Sequence, residues 1–120
     1  MEKTLKSNPD EKRYFKKLLL NEHEEPIREG VANLYYSVAK SDGGRLYLTN
    51  ERLVFIAHKV NLNPNLFWEL PLSEIRNVTM KRNLFVSQHI LVESVTGEEN
   101  IFVLYKGKKW IEEILKAQTN

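Results

Sequence analysis

The chain has no cysteine. That excludes a disulfide framework, a thiolate nucleophile and a thiolate metal site, and it fits a reducing compartment, so a cytoplasmic location is the expectation. Long apolar runs are missing too. No stretch approaches the ~18 apolar residues of a helical membrane span, and the opening MEKTLKSNPDEKRYFKK carries charge throughout. Neither a transmembrane segment nor export is expected. Charge of one sign is not in excess: Lys plus Arg number 18 against 16 acids, a net charge of only +2. Nucleic acid is therefore not an expected partner, because its binders present a basic face or stripe. Glycine (5) and proline (4) are sparse, with no flexible linker and no internal repeat. With 120 residues the chain forms one domain's worth of structure, able to bury roughly 65–70% of its unfolded surface.

Catalytic patterns are also scarce. His23, His58 and His89 fall in different elements, and none has the spacing of a metal-binding HExxH. There is no P-loop or GxGxxG, and no recognisable nucleophile motif. Glu98-Glu99 and Glu112-Glu113 sit where solvated acids ordinarily do, in a turn and on a helix face. The expectation is a protein that is not an enzyme, holds no metal and needs no cofactor.

What is present is a run of alternating segments. Ala32, Leu34, Tyr36 and Val38 share one side of a strand within 27–40, with a bend or bulge expected at Gly30. Gly43-Gly44 reads as a tight hairpin turn, after which Leu46 and Leu48 alternate with Arg45 and Tyr47. Across the polar turn Thr49-Asn50-Glu51, Leu53, Phe55 and Ala57 alternate with Val54, Ile56 and His58. Both faces of this strand are largely apolar, so it belongs in a central or doubly covered position. Phe67–Leu70 is a short strand, and Pro71 argues for an edge position or a break there. Between Ser73 and Arg82 the alternation slips by one residue, which predicts a bulge near Arg76 and Asn77. Residues 89–95 and 100–105 pair across Thr96-Gly97-Glu98. Trp110, Ile111, Ile114 and Leu115 then form the apolar stripe of a last helix.

The first 30 residues hold seven basic and seven acidic side chains. Ser7 or Asn8 as cap, Pro9 in the first turn, and Phe15, Leu18 and Leu19 at helical spacing predict a helix over 9–20. Its basic residues read as a solvated face, with an amphipathic membrane helix as the alternative.

The run GGRLYLTNERLVFIAHK, then ELPLSEIRNV, then a hairpin turning in TGEE, then a Trp-containing last helix, resembles the GRAM domain of the pleckstrin-homology-like superfold. The resemblance covers roughly 25–118. It implies a mainly β, partly open barrel of two near-orthogonal antiparallel sheets, about seven strands in all, plugged by the C-terminal helix. Residues 1–24 stand outside it as an N-terminal helical extension, and 25–120 form the GRAM/PH-like domain.

Two binding classes follow. The resemblance implies a non-enzymatic adaptor that associates peripherally with anionic lipid head groups at the inner membrane face. Lys40 and Arg45 in the first hairpin are its candidate contacts, with Lys81 and Arg82 extending a basic rim, to which Lys106, Lys108 and Lys109 add if they lie at the same end. Tyr47 stands where pleckstrin-homology domains carry a second basic residue. The alternative is protein interaction or self-association, including a homodimer, through the 62–70 loop or an open sheet edge. Leu66, Phe67 and Trp68 are its candidate anchors, unless Trp68 is buried in the core. Arg52 is expected to tie its turn to a neighbouring carboxylate or backbone.

Overall fold

The computed structural model describes residues 14–15, 18–58, 65–81 and 88–119. Their strands are β1 (Tyr14–Phe15), β2 (Leu18–Leu19), β3 (Pro26–Ser37), β4 (Lys40–Thr49), β5 (Arg52–Ala57), β6 (Phe67–Pro71), β7 (Ile75–Thr79), β8 (His89–Ser94) and β9 (Glu99–Leu104). A 3-10 turn, Leu72–Glu74, links β6 to β7, and helix α1 spans Gly107–Gln118. Strands β3 to β9 make one antiparallel sheet in the order β6-β5-β4-β3-β9-β8-β7. Mainly β architecture with seven core strands and a C-terminal helix is as expected. The sheet is continuous and open, however, where two separate sheets were anticipated: every neighbour from β6 to β7 is hydrogen-bonded, and among the described residues β6 and β7 are its edges.

Period-two alternation builds the core. Leu34 on β3, Leu46 and Leu48 on β4, Leu53 and Phe55 on β5, Ile90 and Val92 on β8, and Phe102 on β9 all point to one face. From α1, Trp110, Ile114 and Ala117 complete it at helical spacing. Leu115, expected in that stripe, faces outward instead, because the buried positions run i, i+4, i+7. The Gln118 amide donates to the Leu72 and Ile75 carbonyls, both at 3.0 Å, and pins the helix end to the 3-10 turn.

Several turn and register expectations hold. β6 is an edge strand, β5 is covered on both faces, a register shift falls between Ile75 and Asn77, and Gly97 turns at φ +92°. Gly43 and Gly44 do not make a turn. They lie inside β4, opposite Asn33 and Ala32, and the hairpin reverses between Ser37 and Lys40. Gly30 pairs in regular register with Leu46, and the irregularities fall at Pro26/Arg28 and Tyr35/Ser37. Beyond that second shift Tyr36 and Val38 leave the core. Tyr36 donates its hydroxyl to Asp42 Oδ2 at 2.7 Å, and Val38 projects from the turn.

The described part of the expected 9–20 helix is a strand pair. Tyr14 opposes Leu19 and Phe15 opposes Leu18; residues 9–13, 16 and 17 lie outside the described residues. Burial confirms the period of two: Leu18 and Leu20 are buried and Leu19, between them, is 59% exposed. Helix and strand readings of F-x-x-L-L-L differ only in which leucines share a face, and the apolar outer face of the sheet decides it. Tyr47 and Val54 point outward from β4 and β5, and Leu18 and Leu20 cover them, with Phe15 edge-on to Tyr47 at 5.3 Å.

Candidate functional site

A buried ion cluster holds the N-terminal segment to the β4–β5 turn. Arg52 Nε donates to Glu24 Oε2 at 2.7 Å and Nη2 to Oε1 at 2.9 Å, a bidentate pair. The same guanidinium reaches Glu69 on β6 at 2.7 Å and the Leu19 carbonyl at 3.2 Å. Glu24 also accepts from the Thr49 hydroxyl at 2.6 Å and the Asn21 N–H at 2.9 Å. Burial pushes the Glu24 carboxyl up, but the bonds from Arg52, Asn21 and Thr49 and the Arg52 charge outweigh it and hold it below the ordinary range. Arg52 is raised, chiefly by Glu24, against the opposing effect of burial and with help from Glu69. With Glu24, Arg52 and Glu69 paired to one another, the cluster is a fastener, and Arg52 is the structural tie its sequence context indicates.

The expected lipid contacts are spread out. Lys40 is exposed on the β3–β4 turn. Arg45, in mid-strand opposite Val31, gives Nε and Nη2 to Glu29 Oε1 at 3.1 and 3.0 Å, so its charge is already matched. Lys81 is exposed just past β7, its N–H donating to the Nε2 of buried His89 at 2.9 Å. Arg82 lies outside the described residues. His89 pairs with Val103, Val103 with Asn33, and Ser37 with Lys40. Lys81 therefore sits about four strand residues, roughly 13 Å along the strands, from the Lys40 turn. Lys40 and Lys81 do not share a patch.

Lys81 instead neighbours the start of α1. Lys106, Lys108 and Lys109, with Met80, Gln88 and Glu112, line an open groove of about 490 Å³. Lys106 takes a left-handed backbone, φ 61°, as the helix cap, and its N–H donates to the Gln88 side-chain oxygen. Gly107 is required behind it, since a Cβ there would stand 2.8 Å from the His89 carbonyl oxygen. The first turn of α1 carries no acid, and Lys109 meets Glu112 only at 3.9 Å with both side chains exposed. The KGKK run at 106–109 was the available signal; what the sequence did not contain was its distance from Lys40.

Of the expected protein-interface trio, Leu66 and Trp68 pack against the main core, with Trp68 5.1 Å from the Phe102 ring. Phe67 alone faces out, 51% exposed on edge strand β6. Among the described residues no cluster of three His, Cys, Asp or Glu is placed to hold a metal, and no helix is long and apolar enough to cross a membrane.

An open seven-stranded antiparallel sheet closed at one side by a C-terminal helix defines a pleckstrin-homology-like domain. Residues 20–119 match the family model described as bacterial PH domain, and the chain belongs to that family. Compared with proteins of curated function it shows no significant match. Among solved structures it is similar to the Vps36 N-terminal PH domain, with TM-score 0.65 and 19% identity over 85% of this chain and 84% of that one. It is likewise similar to the Slm1 PH domain in complex with phosphoserine, with TM-score 0.59 and 17% identity over 79% and 97%. The DH/PH fragment of PDZRHOGEF in complex with human RhoA matches with TM-score 0.62 and 15% identity, over 81% of this chain but only 29% of that chain. These likenesses concern the fold.

Proposed function

We propose that the chain is a non-enzymatic adaptor that associates peripherally with anionic lipid surfaces, at the inner membrane face. The observation that carries this reading is the gathering of Lys106, Lys108 and Lys109 around one open groove, with Lys81 next in sequence to its Met80, whereas Arg28, Arg45, Arg52 and Arg76 are each paired with a carboxylate. At about 1 kcal/mol per basic residue near an anionic surface, four such lysines support weak, salt-sensitive attachment. The bound phosphoserine of the Slm1 relative supports an anionic ligand for this class. Within that class, the GGRLYLTNERLVF and PLSEI patterns favour a GRAM-type domain, with 1–24 as its extension.

Co-sedimentation tests the reading. Wild-type protein is expected to pellet with phosphatidylcholine vesicles containing phosphatidylserine, less so at physiological than at low salt, and not with phosphatidylcholine alone. Equal recovery with both, or with neither, would refute it. The second reading is protein association, favoured by Phe67 on the open β6 edge, where another chain's strand can add. A chain that ignores vesicles but loses a partner or a dimer on Phe67→Ser would belong to that reading.

A further inference from the structure

The two ends of the sheet both expose apolar side chains, but their charges differ. At the β3–β4 turn Val38 is 94% exposed and Tyr36 47%, beside Lys40. Ile101 pairs with Tyr35, so two residues further along each strand Glu99 comes level with Ser37, and Glu98 lies in the adjoining turn. Among the described residues one exposed cation faces two exposed acids there. At the start of α1, Met80, Val31 and Tyr105 are 39, 62 and 72% exposed. Met80 shares the groove of the three helix-start lysines, while Val31 and Tyr105 line an adjoining groove of about 370 Å³, and Gln88 belongs to both. Lys81 follows Met80, so among the described residues four cations face one acid, Glu112. Lys106 Nζ lies 5.5 Å from the Tyr105 ring centroid, which joins charge and ring in one unit.

We propose that this α1 end, and not the β3–β4 turn, is the face laid on the bilayer. The lysines meet the phosphates of anionic lipids, while Tyr105, Met80 and Val31 enter the headgroup layer. Charge complementarity selects the end, since an anionic surface attracts a net cationic rim and repels one with acids in excess. Chemistry selects the depth: a tyrosine ring settles at headgroup level with its hydroxyl in water, and lysines on long stems keep their charge outside. Screening weakens the ionic part within a Debye length but leaves apolar insertion intact. Some binding therefore survives physiological salt. The inference rests on the lipid reading and adds which end docks and how deeply.

The test uses the full chain and vesicles of phosphatidylcholine with phosphatidylserine. Lys81→Glu/Lys108→Glu/Lys109→Glu is expected to weaken binding about 100-fold, at one lysine's share per charge lost and more for reversal. Glutamates in the first turn of α1 suit the helix dipole, so the fold is retained and far-UV circular dichroism checks it. Lys40→Glu/Arg45→Glu is expected to change binding less than about 5-fold, one lysine's share. A reporter, Tyr105→Trp, is expected to be quenched by vesicles carrying brominated acyl chains, above the background of buried Trp110 and half-buried Trp68. If wild type binds and the turn-end variant fails while the α1-end variant does not, the surface is wrong and the lipid reading stands. Loss of binding in the α1-end variant without quenching of the reporter removes the insertion step. Absence of wild-type binding removes both proposals.

Discussion

Arg52→Ala is expected to lower the unfolding free energy by about 3–5 kcal/mol, the cost of stranding a buried charge. Against the 5–15 kcal/mol typical of whole domains, that is enough to leave the variant marginal. The Glu24 side chain is fully buried and that of Arg52 is only 15% exposed, so water cannot replace the lost guanidinium. The substitution also releases Glu69 and the Leu19 carbonyl, which loosens β6 and the β1–β2 hairpin from the turn together. Urea denaturation reads the effect. Glu24→Gln on the Arg52→Ala background is expected to recover part of the loss, because a neutral amide tolerates the site where a lone carboxylate does not. An Arg52→Ala midpoint equal to wild type would show that the pair contributes nothing, as many surface pairs do.

The same cluster sets a pH dependence. Glu24 is held below its ordinary value in the folded chain, so the unfolded state binds the proton more readily. The stability it supplies is complete above the unfolded carboxylate value and drains away as pH falls through the lower, folded one. The urea midpoint of wild type minus that of Glu24→Gln is expected to be constant near neutral pH and to shrink below about pH 4. Parallel profiles down to about pH 3 would assign the acid sensitivity to other carboxylates.

Legibility in the sequence followed the range of the interaction. Strand periodicity is written in nearest neighbours, so Leu46, Leu48, Leu53 and Phe55 could be placed in the core, and the slip at Arg76 and Asn77 could be read as a bulge. The same pattern supplied seven strands and a terminal helix, and the family resemblance added their pleckstrin-homology-like arrangement. Errors arose where a long-range partner decided. Phe15, Leu18 and Leu19 fit a helix until Tyr47 and Val54, some thirty residues on, present an apolar face that a strand pair covers. Arg52 could be marked as a tie, but Glu24, 28 residues away, could not be named. The basic rim suffered most. Lys40, Arg45, Lys81 and the 106–109 lysines are legible as charges, yet their grouping depends on register across three strand pairs, and Arg45 is neutralised by Glu29 from the neighbouring strand.

Gly44→Ala is expected to be among the most damaging single-methyl additions in the chain, costing at least about 3 kcal/mol. An added Cβ would lie 2.2 Å from the Ile56 carbonyl oxygen, 2.8 Å from Phe55 Cζ and 2.9 Å from Ala57 Cα. Two of those atoms are backbone of the paired strand, opposite Gly44 itself, so no rotamer change relieves the contact and β4 must part from β5. A turn glycine would behave differently. If Gly44 were needed for a left-handed backbone, Gly44→Asn would be tolerated better than Gly44→Ala, because asparagine adopts that conformation more readily. Close packing reverses the order: the longer asparagine is expected to be worse than alanine. Gly30→Ala supplies the control. Its Cβ would meet only Trp110 Cζ2 at 3.5 Å, an ordinary contact, so its midpoint is expected within about 1 kcal/mol of wild type, with a small gain from the stiffer unfolded chain. Thermal or urea midpoints of the three variants decide between the roles. A milder effect for asparagine than for alanine at position 44 would return this glycine to the turn that its neighbours in sequence imply.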